Sequence, residues 1–155
     1  MKRISQKYLQ PGKWEIVIPF DEQGMELEWT GVVDARLPGE YNLTVIAEHS
    51  VAKTRGRVTV RAVCGEESTV SLKGIIRIAK DAQETDDFLE LRVLTLGPKS
   101  RATVEPELEI EANNVRASHA ASVGRIDPEQ LLYLQSRGLS KDDAQKQIIE
   151  GWLGV

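Results

Sequence analysis

The feature that most constrains this chain is alternation. From Trp14 to about Ile110, apolar and polar side chains exchange places every second residue, in short runs separated by turn residues. The runs are WEIVIPF (Trp14–Phe20), MELEW (Met25–Trp29), YNLTVIAEH (Tyr41–His49), RVTVRAVC (Arg57–Cys64), STVSLKGIIRI (Ser68–Ile78), DFLELRVLTL (Asp87–Leu96) and ATVEPELEI (Ala102–Ile110). A period of two sends successive side chains to opposite faces of a pleated strand, so each run buries one face and wets the other. In RVTVRAVC, Val58, Val60, Ala62 and Cys64 face a core while Arg57, Thr59 and Arg61 face water. STVSLKGIIRI repeats this with Val70, Leu72, Ile76 and Ile78 inside, interrupted by Gly74, where a bend or close packing is expected. Between the runs, DEQG, LPGE, GEES and LGPK supply turn chemistry. Strands this short and evenly spaced suit either a sandwich or a solenoid of stacked coils, and the period does not separate the two.

Composition narrows what such a sheet can serve. With 155 residues, 41% of them hydrophobic and 28% charged, the chain can bury one sizeable core. A net charge of -4 and scattered rather than striped Lys and Arg residues argue against nucleic acid as a partner. The early charges Lys2 and Arg3 precede no apolar stretch, and no apolar run reaches membrane-spanning length, so a cytoplasmic protein away from membranes is expected. The single cysteine, Cys64, excludes an internal disulfide framework and suits a reducing compartment.

The texture changes at Asp127. Asp127-Pro128-Glu129-Gln130 places an N-capping acid, a proline at the first helical position and a glutamine three residues after the cap. The helix carries Leu131, Leu132, Tyr133 and Leu134 and stops at Gly138, the residue best able to take a left-handed cap. Ser140 with Asp143 opens a second helix, in which Ala144, Ile148 and Trp152, beside Ile149 and Leu153, repeat every four residues. The chain therefore divides into a β region over residues 1–126 and a helical hairpin over residues 127–155.

The string LEIEANNVRASHAASVGRIDPEQLLYLQSRGLSKDDAQKQIIEGWL (Leu108–Leu153) resembles the C-terminal end of the SufB/SufD family, scaffold proteins of iron-sulfur cluster assembly. The matching positions are Val115, Arg116, Ser118, His119, Ala121, Ser122, Val123, Gly124, Asp127, Gln130, Leu131, Tyr133, Leu134, Ser136, Arg137 and Gly138. Upstream, LKGIIRIAKDAQETDDFLELRVLTL (Leu72–Leu96) is similar to the family's strand with a glycine bend, Ala-Gln turn and leucine-ended strand, so that roughly Gly56–Leu153 is covered and residues 1–55 match poorly.

The resemblance implies a mainly β fold, a right-handed parallel β-helix with the two-helix hairpin packed beyond its end. It also implies a non-enzymatic scaffold whose β-helix pairs edge to edge with a SufB/SufD-like subunit or with itself as a homodimer. The hairpin would then hold a SufC-like ABC ATPase, with Gln130, Tyr133 and Arg137 as contact residues. Where the family carries a cysteine two residues before the histidine this chain has Ala117, and Ala120 replaces the following glycine. No cofactor is therefore expected to bind stably, and a cluster is expected only transiently at a subunit interface.

Four groups of residues invite sharper readings. His119 is the candidate metal ligand, weighed against a structural histidine at the end of the last coil; as a ligand it would serve a stand-alone metal- or cluster-binding homodimer. Cys64 reads as core packing and inert. His49 reads as a surface residue, and Glu84, Asp86 and Asp87 as solvated turn charges lacking the glycine spacing of a calcium loop. No phosphate loop, nucleophile elbow or paired zinc-ligand motif is present in the sequence. A β-sandwich binding module unrelated to the family remains the alternative fold, marked by PGEYNLTV (Pro38–Val45).

Overall fold

A computed structural model describes residues 1–154. Nine strands wind into two parallel sheets. One holds β1 (Lys2–Tyr8), β3 (Glu26–Ala35), β5 (Arg55–Cys64), β7 (Asp86–Thr95) and β9 (Arg116–Arg125) in that order. The other holds β2 (Gly12–Phe20), β4 (Gly39–His49), β6 (Ser68–Ile78) and β8 (Arg101–Ile110). Each strand pairs in parallel with the strand two places on, so consecutive strands lie in opposite sheets and the chain climbs as a β-solenoid of about four turns. This excludes the antiparallel hairpins and Greek keys of the sandwich alternative and establishes the stacked coils.

Register turns alternation into columns. Trp29, Val58 and Leu89 are neighbours across β3, β5 and β7; Tyr41 and Val70, and Leu43 and Leu72, are neighbours across β4 and β6. All point inward and are buried. Each such Leu, Val or Ile contributes about 1.5–3 kcal/mol by leaving water. The volumes interlock across the two sheets. A Cβ on Gly74 would stand 2.7 Å from the Leu89 side chain, so the glycine in STVSLKGIIRI is the hollow that receives Leu89.

Backbone pairing continues through the corners, for example from Ser50 N–H to Phe20 C=O, Ala79 to His49 and Glu111 to Ile78. One corner repeats a left-handed residue in three successive coils: Gly24 (φ 80°), Lys53 (φ 62°) and Glu84 (φ 60°) stack in register just before β3, β5 and β7. Two strands carry weak sequence signals. Both β1, which is polar at two of its four inward positions, Lys2 and Gln6, and β9, which is rich in Ala, Ser and Gly, lie outside the alternating runs.

Helix α1 (Pro128–Ser136) starts as expected, with the Asp127 carboxylate accepting from Glu129 N–H at 2.9 Å, and Gly138 follows its C-cap with φ 98°. Helix α2 (Lys141–Leu153) is capped by Ser140, which accepts from Asp143 N–H at 3.1 Å. The hairpin does not lie beyond the end of the solenoid. Instead α2 crosses the outer face of the five-stranded sheet, where Ile149 and Leu153 cover Val32, Val63 and Leu94. Trp152 Nε1 donates to the Ala62 carbonyl at 3.1 Å, and the Arg92 guanidinium sits 4.8 Å from the Trp152 ring centroid. The cause is in the strands: Val32-Val33, Ala62-Val63 and Val93-Leu94 break the alternation, so the sheet is apolar on both faces there and needs a cover.

Candidate functional site

The hairpin presents two unlike helices. In α2, Ala144, Ile149 and Leu153 are buried, whereas α1 has no buried residue. Leu132 is 67% and Tyr133 56% exposed, and Arg137 lies 5.3 Å from the Tyr133 ring centroid. Gln130, on the same helix, is exposed as well. The three expected contact residues thus share a short helix that the β body leaves uncovered, beside one that it holds firmly.

The second surface is the open end of the solenoid. His119 lies in the middle of β9, in register with Leu89, so it continues the inward column of Trp29 and Val58. No further coil covers it among the described residues. Val123 on the same face is 46% exposed, and Leu108 and Ile110 of β8 are each 38% exposed. His119 is itself exposed and makes no side-chain hydrogen bond to a described residue. Its neighbours Ala117 and Ala121 offer no ligand atoms, and no three His, Cys, Asp or Glu side chains converge on a metal position among the described residues. A cluster could not be held by this chain's side chains at His119 alone.

Cys64 is fully buried and its Sγ lies 3.4 Å from the carbonyls of Ser68 and Arg101. Burial pushes the thiol up from its ordinary value, which keeps it protonated and unreactive. The core-packing reading of Cys64 holds.

The two readings at His49 and Asp87 are corrected. Both are 1% exposed and form an interior polar network. His49 Nε2 is 2.8 Å from Asp87 Oδ2, His49 Nδ1 is 2.7 Å from Thr54 Oγ1, and the imidazole stacks 4.1 Å from the Phe20 ring. The donors can be assigned in order. Thr85 Oγ1 donates its one proton to the Ala82 carbonyl, so across the 3.1 Å contact Thr54 donates to Thr85. The Thr54 oxygen must then accept, which places a proton on His49 Nδ1. Nε2 in turn meets the Asp87 carboxylate, so both ring nitrogens have a polar partner. Mutual pairing is what permits the two groups to be buried.

Among the described residues Asp87 Oδ1 has no hydrogen-bond partner, and it fits only because residue 56 is glycine: a Cβ there would stand 2.5 Å from it. The missed signal was parity. Residues 41, 43, 45 and 47 face inward, so 49 must also, and 87 follows from 89, 91 and 93 by the same count. The Thr-His-Asp grouping invites comparison with a hydrolase triad, but its side chains are closed to solvent and the Thr54 proton is engaged, so no substrate reaches it.

Among the described residues no helix is long and apolar enough to cross a membrane. The family model for the SUF system FeS cluster assembly, SufBD core domain, matches residues 14–152, reaching further toward the N-terminus than the motifs did. The iron-sulfur cluster assembly protein SufD of Bacillus subtilis (strain 168) is 38% identical over 112 residues, covering 72% of this chain and 26% of that protein. SufD of Escherichia coli (strain K12) is 36% identical over 102 residues, covering 66% and 24% respectively. SufB of Bacillus subtilis is 28% identical over 105 residues, covering 68% and 23%. The chain spans about a quarter of the length of these relatives. A parallel solenoid closed by a two-helix hairpin on its sheet face, matched by the core-domain model over nearly its whole length, places the chain in the SufB/SufD family.

Proposed function

We propose that the chain is a non-catalytic scaffold unit of SUF-type iron-sulfur cluster assembly, docking a SufC-like ABC ATPase through α1. The observation that supports the reading is the division of labour in the hairpin: α2 is anchored by Ile149, Leu153 and Trp152 while Leu132 and Tyr133 of α1 stay exposed. A helix whose apolar side chains no part of its own fold covers is suited to lie in a partner's groove. Aromatic and Arg side chains such as Tyr133 and Arg137 are the types that dominate such contacts. In calorimetric titration with a purified SufC-like ATPase, Tyr133→Ala and Arg137→Ala should each weaken binding about tenfold or more. Undiminished binding by both variants would remove α1 as the dock.

The open end supports the second half of the proposal, edge-to-edge pairing with a SufB/SufD-like subunit or a second copy. Strands β8 and β9 each have one unpaired edge in their sheets, and Val123, Leu108 and Ile110 lie exposed between them. Such pairing would bring His119 to the interface, where a cluster, as cargo, would take its remaining ligands from the other subunit. Anaerobic reconstitution with iron and sulfide should then give visible charge-transfer absorption only with the partner present, and His119→Ala should change it.

A further inference from the structure

The outer face of the five-stranded sheet carries a second feature beside α2. Where the helix ends, the strands form an open groove of about 870 Å³. Its floor is a column of hydroxyls, Ser5, Thr30 and Thr59, in register across β1, β3 and β5. Two residues away along the strands on one side runs the column Arg3, Glu28, Arg57; on the other side run Lys7, Val32, Arg61. Arg3 is paired with Glu28 at 3.0 Å. Lys7, Arg57 and Arg61 take part in no ion pair among the described residues, and Arg57 is braced 5.5 Å from the Phe88 ring centroid. Glu90 is the other acid in the lining. A chain of net charge -4 thus gathers an excess of cations over a hydroxyl floor.

We propose that this groove is a docking site for an acidic protein segment, an extended stretch with several spaced carboxylates. Charge complementarity selects the sign of the occupant. Spacing selects its form. The cation columns are four residues apart along the strands, roughly 13 Å at the rise of a β-strand, and neighbouring strands add about 4.8 Å each. Lys7, Arg57 and Arg61 are therefore spread over the groove rather than focused on one point, which suits separate carboxylates better than a single phosphoryl group. The Ser5 and Thr30 hydroxyls can donate to carboxylates or backbone carbonyls lying along the floor, while the buried Thr59, Val32 and Leu153 close the groove at the end of α2. The groove is distinct from α1, so this site neither requires nor excludes an ATPase on the hairpin.

The test uses a fluorescein-labelled oligo-glutamate peptide and fluorescence anisotropy on the full chain. The variant Lys7→Gln/Arg57→Gln/Arg61→Gln should weaken binding at least tenfold. The control Lys13→Gln/Lys80→Gln/Lys99→Gln, which removes the same charge elsewhere, should weaken it less than twofold. Raising salt to about 1 M, where the Debye length falls to about 3 Å, should weaken wild-type binding as well. Three results would overturn the proposal: no binding at low salt, equal loss in both triple variants, or displacement of the peptide by tripolyphosphate at lower concentration than by unlabelled peptide. The last would make it a phosphate site. Circular dichroism of both variants guards against unfolding, since all six positions lie outside the core cluster.

Discussion

The two histidines of this chain occupy equivalent kinds of position and meet opposite fates. Each sits in an inward-facing column of a sheet: His49 between Phe20 and Ile78 in one, His119 beyond Leu89 in the other. His49 has a coil on either side, is 1% exposed and has both ring nitrogens engaged. His119 is on the last strand of its sheet and is exposed. In a solenoid, direction is set by parity, while burial is set by whether another coil stacks on top. The hairpin repeats the contrast, since α2 has a sheet beneath it and α1 only α2 beside it.

That contrast can be broken by mutation. His49→Ala should have the largest effect, about 3–5 kcal/mol, because Asp87 would remain buried with neither oxygen paired. Chemical denaturation measures it, and a loss below about 1 kcal/mol would mean that water reaches Asp87. Trp152→Ala should cost about 2–3 kcal/mol through lost packing of α2 on the sheet and the vacated Ala62 carbonyl. Hydrogen exchange should show the helix amides opening ahead of the strands; a uniform change would argue that α2 is not a separate layer.

The comparison sharpens further when charge and shape are separated. The double variant His49→Leu/Asp87→Val should lie within about 1.5 kcal/mol of the native chain, since an apolar pair of similar volume needs no partners and Thr54 keeps its bond to Thr85. If the double variant were as unstable as His49→Ala, the network would be specifying the corner geometry rather than neutralising a buried acid. His119→Ala should be the mildest, within about 0.5 kcal/mol by the same denaturation assay, because nothing in the fold leans on the imidazole. A larger loss would show that His119 packs into the coil beneath it.

Much of the solenoid was legible from single residues. Alternation placed Val58, Val60, Ala62 and Cys64, and Val70, Leu72, Ile76 and Ile78, on the buried face, where all eight are found. The capping residues Asp127 and Ser140 marked both helix starts because their effect is local, reaching two or three residues. Polar inward residues were harder to read. His49 and Asp87 were assigned by residue type as surface groups, although their parity with neighbouring apolar residues pointed inward. What resolves them is a partner 38 residues away in sequence, brought within 2.8 Å by coil stacking. The docking face of α2 was also written in the strands, in the doubled apolar pairs at Val32-Val33, Ala62-Val63 and Val93-Leu94, but periodicity assigns those residues to a face without naming what covers it.

The sequence by itself marked seven of the nine strands and both helices, the apolar side chains that face inward along the alternating runs, and the resemblance that the family match sustains. These follow from the pleat, from caps and from local motifs, all short-range properties of the backbone. Only the tertiary structure decided that strands pair with the second strand on rather than the next, and that the hairpin lies on a sheet face instead of the solenoid end. It alone showed that Gly56 makes room for the Asp87 carboxylate and that His119 is left open where His49 is closed. Each of these depends on residues some thirty positions apart becoming neighbours, and a period of two carries no information about how far along the chain a neighbour lies.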